Sequence, residues 1–249
     1  MKKTILPVLM SAMFVVPAVS HAEEHVVSQN NTYKVEQAQE KSGWVRDKGD
    51  WYYYNEDGTM AKDWKKINGL WYYFNQDGIM AKYMKNIQGN TYYFNDDGAM
   101  QIGWKKLQGS FGGKWYYFNE DGAMTKDWKK INGSWYYFEE NGAMATGQKT
   151  VKGNTYYLNE DGAMQIGWKK LQGSFGGKWY YYNEDGSMAT GWVKVNDTWY
   201  YMNKDGAMQT GWLQKDGDWY YLQSNGAMAV GKHFIDGRWY SFKDNGVMM

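Results

Sequence analysis

The stretch that decides the fold is Trp64-Lys-Lys-Ile-Asn-Gly-Leu-Trp-Tyr-Tyr-Phe-Asn-Gln-Asp-Gly78. Asn68-Gly69 separates two runs of strand-forming residues. This dipeptide suits a type I′ turn, because both central positions of that turn need a positive φ. Such a turn between two β-prone runs is a strong short-range signal for a β-hairpin. The stretch therefore predicts two antiparallel strands joined by two residues.

The turn also fixes the register and the faces of the hairpin. The predicted pairs are Ile67 with Leu70, Lys66 with Trp71, Lys65 with Tyr72, and Trp64 with Tyr73. Alternation along each strand then puts Trp64, Trp71 and Tyr73 on one face and Ile67, Tyr72 and Phe74 on the other. An isolated hairpin is marginal in water, and this one has two aromatic faces. We therefore expect each hairpin to pack between its predecessor and its successor.

The same pattern recurs ten times, and each unit closes with Gly-x-Met. The closing glycines are Gly58, Gly78, Gly98, Gly122, Gly142, Gly162, Gly186, Gly206, Gly226 and Gly246. Seven of the steps between them are 20 residues and two are 24. A fixed period of this size indicates a solenoid of supersecondary units that bury their faces against neighbours. The predicted fold is an all-β solenoid of about ten hairpins.

A second period overlies the first. Both longer steps carry an inserted Gly-Ser-Phe-Gly-Gly-Lys, at residues 109–114 and 173–178. The third and sixth hairpins also lack their two tryptophans, which are replaced by Met84 and Thr91 and by Gln148 and Thr155. A superhelix with three hairpins per turn explains this 64-residue repeat, because every third unit then faces the same side. Duplication of a 64-residue block would give the same pattern.

The chain divides into three predicted segments. Residues 1–22 have two lysines, an apolar core and a small-x-small end at Ser20-His21-Ala22, which is typical of a cleaved signal peptide. Residues 23–42 are polar and indicate an N-terminal arm or linker. Residues 43–249 hold the repeats and leave no room for a separate catalytic domain. We therefore expect a secreted protein that is not an enzyme and has no membrane span.

The composition narrows the range of expected ligands. The chain has no cysteine, and its 28 basic side chains nearly balance 27 acidic ones, so a nucleic acid is not an expected partner. His25 and His233 are isolated, and no metal cluster or catalytic triad is suggested. Turns such as Asn-Glu-Asp-Gly resemble calcium loops but lack the downstream bidentate Glu. We predict neither a metal nor a cofactor.

The aromatic residues suggest a function. The chain has 15 Trp and 23 Tyr, and a thin array needs many of them for packing. Packing alone does not explain why the Trp pair is lost as a unit in two hairpins that keep the rest of their aromatic run. Two Trp of one hairpin and a Tyr of the next would form an aromatic box, which attracts a quaternary ammonium by cation–π interaction. Each ring contributes roughly 0.5 to 2 kcal/mol, so we expect dissociation constants on the order of millimolar.

The residues also match a known family. The segment from Gly191-Trp192 through Trp199-Tyr200-Tyr201 to Gly206-Ala207-Met208 resembles the choline-binding repeats of Gram-positive bacteria whose teichoic acids carry phosphocholine. The resemblance covers about residues 43–249. It implies a left-handed β-solenoid with about three hairpins per turn. It also implies that two aromatics of one repeat and one of the next hold choline, and that the protein attaches noncovalently to the cell wall.

Carried over repeat by repeat, the resemblance implies seven boxes, which we number in chain order. They are box 1 (Trp44, Trp51, Tyr72), box 2 (Trp64, Trp71, Tyr92), box 3 (Trp104, Trp115, Tyr136), box 4 (Trp128, Trp135, Tyr156), box 5 (Trp168, Trp179, Tyr200), box 6 (Trp192, Trp199, Tyr220) and box 7 (Trp212, Trp219, Tyr240). The third, sixth and tenth hairpins should open no ordinary site, because Met84/Thr91, Gln148/Thr155 and Lys232 depart from the pattern. The Met of each unit, for example Met80 or Met208, is expected to fill the turn, with a fourth wall of the box as the alternative.

These observations predict a secreted, noncatalytic surface protein. Its boxes would bind choline or phosphocholine on teichoic and lipoteichoic acids multivalently and hold it noncovalently on the cell wall. It could then compete with wall hydrolases or display a surface to a host or bacterial protein. The alternatives are a glucan-binding module, since related aromatic repeats bind polysaccharide, and a wall hydrolase, for which residues 23–42 are too short to form a catalytic domain.

Overall fold

The computed structural model describes residues 42–249, which form ten antiparallel hairpins and two short 3-10 helices. The strands are β1 (Gly43–Asp47), β2 (Asp50–Tyr54), β3 (Asp63–Ile67), β4 (Leu70–Phe74), β5 (Tyr83–Ile87), β6 (Asn90–Phe94), β7 (Gly103–Leu107), β8 (Lys114–Phe118), β9 (Asp127–Ile131), β10 (Ser134–Phe138), β11 (Gly147–Val151), β12 (Asn154–Leu158), β13 (Gly167–Leu171), β14 (Lys178–Tyr182), β15 (Gly191–Val195), β16 (Thr198–Met202), β17 (Gly211–Lys215), β18 (Asp218–Leu222), β19 (Gly231–Ile235) and β20 (Arg238–Phe242). The 3-10 helices are Gly109–Phe111 and Gly173–Phe175. The predicted all-β class is confirmed. The expected signal peptide and nearly all of the expected arm lie outside the described residues.

Each hairpin is its own two-stranded sheet, and the predicted register is confirmed. Between β3 and β4 the partners are Ile67 with Leu70, Lys66 with Trp71, Lys65 with Tyr72, and Trp64 with Tyr73. Asn68 and Gly69 have φ values of 49° and 84°, as a type I′ turn requires. No helix among residues 42–249 is long and apolar enough to cross a bilayer.

Backbone hydrogen bonds join each hairpin to the one before it. After the closing turn of a unit, the methionine bridges to the end of its own second strand, as Met80 does with Phe74. The N–H of Met80 also donates to the carbonyl of Trp51 in the preceding hairpin, at 2.8 Å. The same bond recurs from Met100 to Trp71 and from Met208 to Trp179. The methionine segment therefore links successive units into one array.

The core is a row of side chains from the ends of the second strands. Phe74, Phe94, Phe118 and Phe138 are 0% exposed, and Leu158, Tyr182, Met202 and Leu222 occupy the same place in later units. Ile67 and Tyr72 are buried on the same face as Phe74. This face of the hairpin therefore packs inside the array. The other face, which carries both tryptophans, remains partly open.

The closing glycine and the methionine of the preceding unit fit together. Gly98 has a φ of 79°, which disfavours a side chain, and a Cβ there would overlap the Sδ of Met80. The same overlap holds for Gly78 with Met60 and for Gly226 with Met208. Each Gly-x-Met segment therefore contacts both neighbouring units. Its Gly receives the Met of the preceding unit, and its Met packs on the Gly of the following unit.

Candidate functional site

Box 1 lies between the first two hairpins. β1 supplies Trp44 and β2 supplies Trp51, and their rings are perpendicular at 88° with centroids 6.3 Å apart. Tyr72 of β4 lies 4.9 Å from Trp44. The three rings line a cavity of about 480 Å³, and Met80 forms a further wall. The structure therefore brings together the three predicted rings of box 1 around an open space.

The full arrangement recurs in six of the seven predicted boxes, and box 4 shares the contact of Trp128 with Tyr156. The first Trp of each box lies 4.7 to 4.9 Å from the Tyr of the next hairpin. In boxes 1, 2, 3, 5, 6 and 7 the two Trp rings are 6.2 to 6.5 Å apart and perpendicular within 7°. Open cavities of about 460 Å³ and 350 Å³ lie at boxes 2 and 5. One local geometry is thus repeated along the array.

The second tryptophan of boxes 2 to 7 is more exposed than a side chain that serves packing alone. Trp71 and Trp179 are each 42% exposed, and the corresponding Trp115, Trp135, Trp199 and Trp219 are 40 to 41% exposed. Full burial of an aromatic ring is the main source of stability in such a thin array. A ring that stays open at the same fraction in six units is positioned to contact something outside the fold.

The boxes present neutral ring faces rather than a phenolate. Burial raises the pKa of Tyr72 above its ordinary value of 10.0, so its phenol is neutral at neutral pH. The chain's own ammonium groups already lie over ring faces, Lys65 at 5.4 Å from Tyr53 and Lys66 at 5.9 Å from Trp71. Both distances are within the range of about 6 Å for cation–π attraction.

The structure adds walls that sequence reasoning missed or weighed differently. Met80, Met100 and Met208 line the cavities of boxes 1, 2 and 5. The methionine was expected mainly to fill the turn, with a fourth wall of the box as the alternative. In boxes 1, 2 and 5 it does both. Tyr53 lies on the same face of the hairpin as Trp44, with ring centroids 5.2 Å apart, and packs against that ring. Trp44 and Tyr53 are cross-strand partners in the hairpin register. The register therefore could have predicted this contact.

A second missed contribution comes from the turn two hairpins downstream. Asp96 and Asp97 border the cavity of box 1, together with Arg46 and Lys82. The equivalent turn residues are Glu120 and Asp121 at box 2, and Ser224 and Asn225 at box 5. We call these turn residues the rim of each box. Each cavity is therefore built from three consecutive repeats, whereas the sequence predicted two.

In the third and sixth hairpins, the residues that replace the Trp pair pack into the place where an open box lies in other units. Met84 packs against the cluster that contains Tyr116 and Phe118. The Nε2 of Gln148 donates to the hydroxyl of Tyr182 at 3.2 Å, across to the next hairpin. In the tenth hairpin Lys232 stands in place of the first Trp, and Trp239 is 71% exposed. The three units expected to lack a box do depart from its geometry.

The inserted loops cover the tyrosines next to these two units. Phe111 lies 5.9 Å from Tyr116, and Phe175 lies 5.9 Å from Tyr180. These tyrosines are only 3% and 5% exposed. They occupy the position that forms the third wall of a box elsewhere. The loop insertion and the loss of the Trp pair in the preceding hairpin are therefore structurally coupled.

The carboxylates of the closing turns accept hydrogen bonds from within the same turn. The Oδ1 of Asp57 accepts hydrogen bonds from the N–H and the hydroxyl of Thr59, at 3.0 and 2.6 Å, and these bonds lower the pKa of Asp57. Asn75 caps its turn in the same way. Within residues 42–249, no cluster of three or more His, Cys, Asp or Glu side chains could hold a metal ion. The resemblance of these turns to calcium loops follows from turn chemistry.

Comparison with known families agrees with this geometry. The "Choline-binding repeat" family matches residues 110–148, 172–209 and 189–233. The "Putative cell wall binding repeat" family matches residues 42–60, 62–80, 85–100 and 148–164. The chain belongs to the choline-binding repeat proteins. No curated protein matches it in sequence.

Solved structures give the same result. CbpJ from Streptococcus pneumoniae is 30% identical with a TM-score of 0.64, and the match covers 83% of this chain and 86% of that one. Choline binding protein F from the same organism is 32% identical with a TM-score of 0.60, and 84% and 92% of the two chains are covered. The modular autolysin LytC of S. pneumoniae is 33% identical with a TM-score of 0.61. That match covers 84% of this chain but only 46% of LytC.

Proposed function

We propose that this chain is a secreted, noncatalytic module that binds the choline of cell-wall teichoic and lipoteichoic acids through its seven boxes. The observation that carries the proposal is the repeated constellation of two perpendicular Trp rings and a Tyr from the next hairpin. The trimethylammonium group is permanently charged and apolar on its surface, so it gains both cation–π attraction and burial in such a corner. Met80 and its equivalents add an apolar, adaptable wall.

Attachment to the wall would come from the number of boxes rather than from the strength of one. A second box on the same chain binds a second choline intramolecularly, which raises the overall affinity by about 100- to 10,000-fold where the geometry allows both contacts. We further propose that the array winds as a left-handed solenoid with about three hairpins per turn. The rims support a period of about three hairpins, because the turn of one repeat borders the cavity begun two repeats earlier, and the left hand is taken from the family resemblance.

The biological role would follow from occupying choline. A noncatalytic protein on the wall competes with choline-dependent hydrolases for the same ligand, or displays the rest of its surface to a partner protein. The walls of box 2 are the apolar side chains of Trp64, Trp71, Tyr92 and Met100, and the carboxylates of its rim, Glu120 and Asp121, are both exposed. Zymography on purified cell wall tests the noncatalytic part, and a cleared zone would contradict it.

A competition experiment tests the choline proposal. The full chain is bound to choline-bearing cell wall and eluted with choline, with 3,3-dimethylbutan-1-ol, or with dextran. The neohexyl alcohol has the shape of choline without its charge, so it isolates the cation–π contribution. Elution by choline alone is expected. Elution by the neutral alcohol at the same concentration would show that charge is unimportant, and elution by dextran alone would favour a glucan-binding module.

A further inference from the structure

Boxes 1, 2 and 5 share the same ring walls but differ in their rims. The rim of box 2 is Glu120 and Asp121, two exposed carboxylates, and that of box 5 is Ser224 and Asn225, which carry no charge. The wall geometry of the two boxes is almost identical, with Trp pairs 6.4 Å apart and perpendicular at 86° in both. The chain therefore contains a natural comparison in which the rim is the main difference.

The rim is placed where the rest of a bound ligand must lie. In the proposed binding mode the rings enclose the trimethylammonium end, so the rest of the ligand would project through the open mouth of the cavity. In choline that part is an uncharged hydroxyethyl group, and in phosphocholine it ends in an anionic phosphate. A carboxylate at the mouth attracts the ammonium but repels the phosphate, whereas a hydroxyl and an amide can donate hydrogen bonds to phosphate oxygens.

We propose that the turn two repeats downstream sets the ligand preference of each box. Box 2 favours quaternary ammonium ligands whose remainder is uncharged, and box 5 accepts an anionic phosphate beside the ammonium. This inference rests on the proposed function, since it names which choline compound each box prefers. It assigns a specificity role to Glu120, Asp121, Ser224 and Asn225.

The expected size of the effect is modest because the rims are exposed. Two unit charges roughly 6 Å apart in water change an equilibrium by about threefold. Two carboxylates acting on a phosphate should therefore change the choline-to-phosphocholine affinity ratio by about three- to thirtyfold at low salt. Lys66, which lies over the Trp71 ring, offsets part of this repulsion. Salt near 1 M shortens the screening length to about 3 Å and should remove most of the effect.

Box 1 offers an intermediate case. Its cavity is bordered by Asp96 and Asp97 but also by Arg46 and Lys82. The formal charges cancel, so its affinity ratio should lie nearer to that of box 5 than to that of box 2. An acidic turn by itself therefore does not predict a preference for choline over phosphocholine, because basic side chains at the same cavity mouth offset its charge.

The rim can be exchanged without disturbing its turn. The Oδ1 of Asp121 accepts a bond from the N–H of Ala123 at 3.0 Å, and the Oδ1 of Asn225 accepts the equivalent bond from Ala227 at 3.0 Å. Asp and Asn therefore perform the same structural task at this position. The exchanges E120S/D121N and S224E/N225D are conservative for the fold and reverse the charge pattern.

The test follows the indole N–H signals of Trp64 and Trp71 and those of Trp168 and Trp179 in NMR titrations of the full chain. Each signal is assigned by a Trp→Phe variant, and the chain is titrated with choline and with phosphocholine at low and high salt. The choline-to-phosphocholine affinity ratio should be about three- to thirtyfold higher at box 2 than at box 5. The two rim exchanges should reverse this order.

The outcomes separate the two proposals. Equal ratios at boxes 2 and 5, or ratios that do not move with the rim exchanges, would overturn the rim assignment while leaving choline binding in place. A difference that persists unchanged at 1 M salt would overturn its electrostatic basis. Signals that respond to neither ligand would overturn the proposed function and the rim assignment with it.

Discussion

At the scale of single residues, the two aromatic faces of a hairpin have different tasks. Phe74 and its equivalents are completely buried, while Trp71 and its equivalents remain about 40% exposed in a constant geometry. Removing a buried Phe leaves a cavity and typically costs about 3 to 5 kcal/mol. Removing a half-exposed Trp takes away less packing. Stability and ligand binding are therefore separable by mutation.

Substitution Trp71→Ala should weaken choline binding at box 2 without unfolding the array. The ring contributes one wall, worth roughly 0.5 to 2 kcal/mol, so affinity at that box should fall by about two- to thirtyfold. An NMR titration with choline, followed by the indole N–H signals, should show weaker binding at Trp64 of box 2 and unchanged binding at Trp168 of box 5.

Trp239 provides the matched control for Trp71. It occupies the same position in the tenth hairpin, is 71% exposed, and belongs to none of the seven boxes. Trp239→Ala should leave choline stoichiometry and affinity unchanged. An equal loss of binding in both variants would mean that the Trp effect is general rather than specific to a box.

At the scale of the element, the Gly-x-Met segment joins the turn of one hairpin to the box of another. Met80 packs on Gly98, donates its N–H to the carbonyl of Trp51, and lines the cavity of box 1. A change in the turn at Gly98 should therefore be felt at a box whose rings begin two hairpins earlier. The methionine transmits it by steric contact alone.

Substitution Gly98→Ala should displace Met80 and weaken choline binding at box 1. Gly89→Ala is the control, because Gly89 also has a positive φ, 87°, but a Cβ there would meet no other atom within 4 Å. Both variants lose about 1 to 2 kcal/mol to backbone strain. Only Gly98→Ala should shift the indole signals of Trp44 and Trp51, and identical behaviour of the two variants would contradict the coupling.

The inserted loops act as covers over tyrosines that no Trp pair encloses. Phe111→Ala should expose Tyr116 and destabilise the adjoining hairpins by about 1 to 3 kcal/mol, the value of a partly buried aromatic ring. Choline stoichiometry should stay the same, because Phe111 belongs to none of the boxes. Denaturant unfolding and calorimetry measure the two quantities.

Phe234→Ala is the matched control for Phe111→Ala. Phe234 is 62% exposed and pairs with Trp239 across the two strands of the last hairpin. Its loss should change stability much less. Equal destabilisation by both substitutions, or a new choline site in Phe111→Ala, would contradict the covering role of the loop.

At the scale of the whole molecule, the sequence predicted what repeats and missed what spans several repeats. The Asn68-Gly69 turn, the register of Trp64 with Tyr73, and the burial of Phe74 follow from local rules and are confirmed. The meeting of each Trp with the next Tyr also follows the period. The rims were missed, because a turn two repeats downstream becomes a neighbour of a box only once the hairpins are stacked in space. Phe111 was missed for a local reason, because the inserted loop forms a short 3-10 helix, Gly109–Phe111, that brings its ring near Tyr116 of the following strand.

Several boxes on one array should bind a choline-bearing surface far more tightly than free choline. Disabling boxes one at a time, by Trp→Ala at Trp51, Trp71 and Trp179, should shorten the residence time on cell wall multiplicatively, since each box raises the local concentration for the others. Surface plasmon resonance on immobilised choline checks this. A residence time that falls linearly, in proportion to the boxes left, would contradict multivalent attachment.

The most direct test of the central claim is a crystal structure of the full chain soaked with choline. We expect a trimethylammonium group in the corner of each box, with its nitrogen within about 6 Å of the centroids of both Trp rings and the Tyr of the next hairpin. The third and sixth hairpins should remain without it. Choline bound elsewhere on the array while the seven boxes stay empty would contradict their assignment as choline sites.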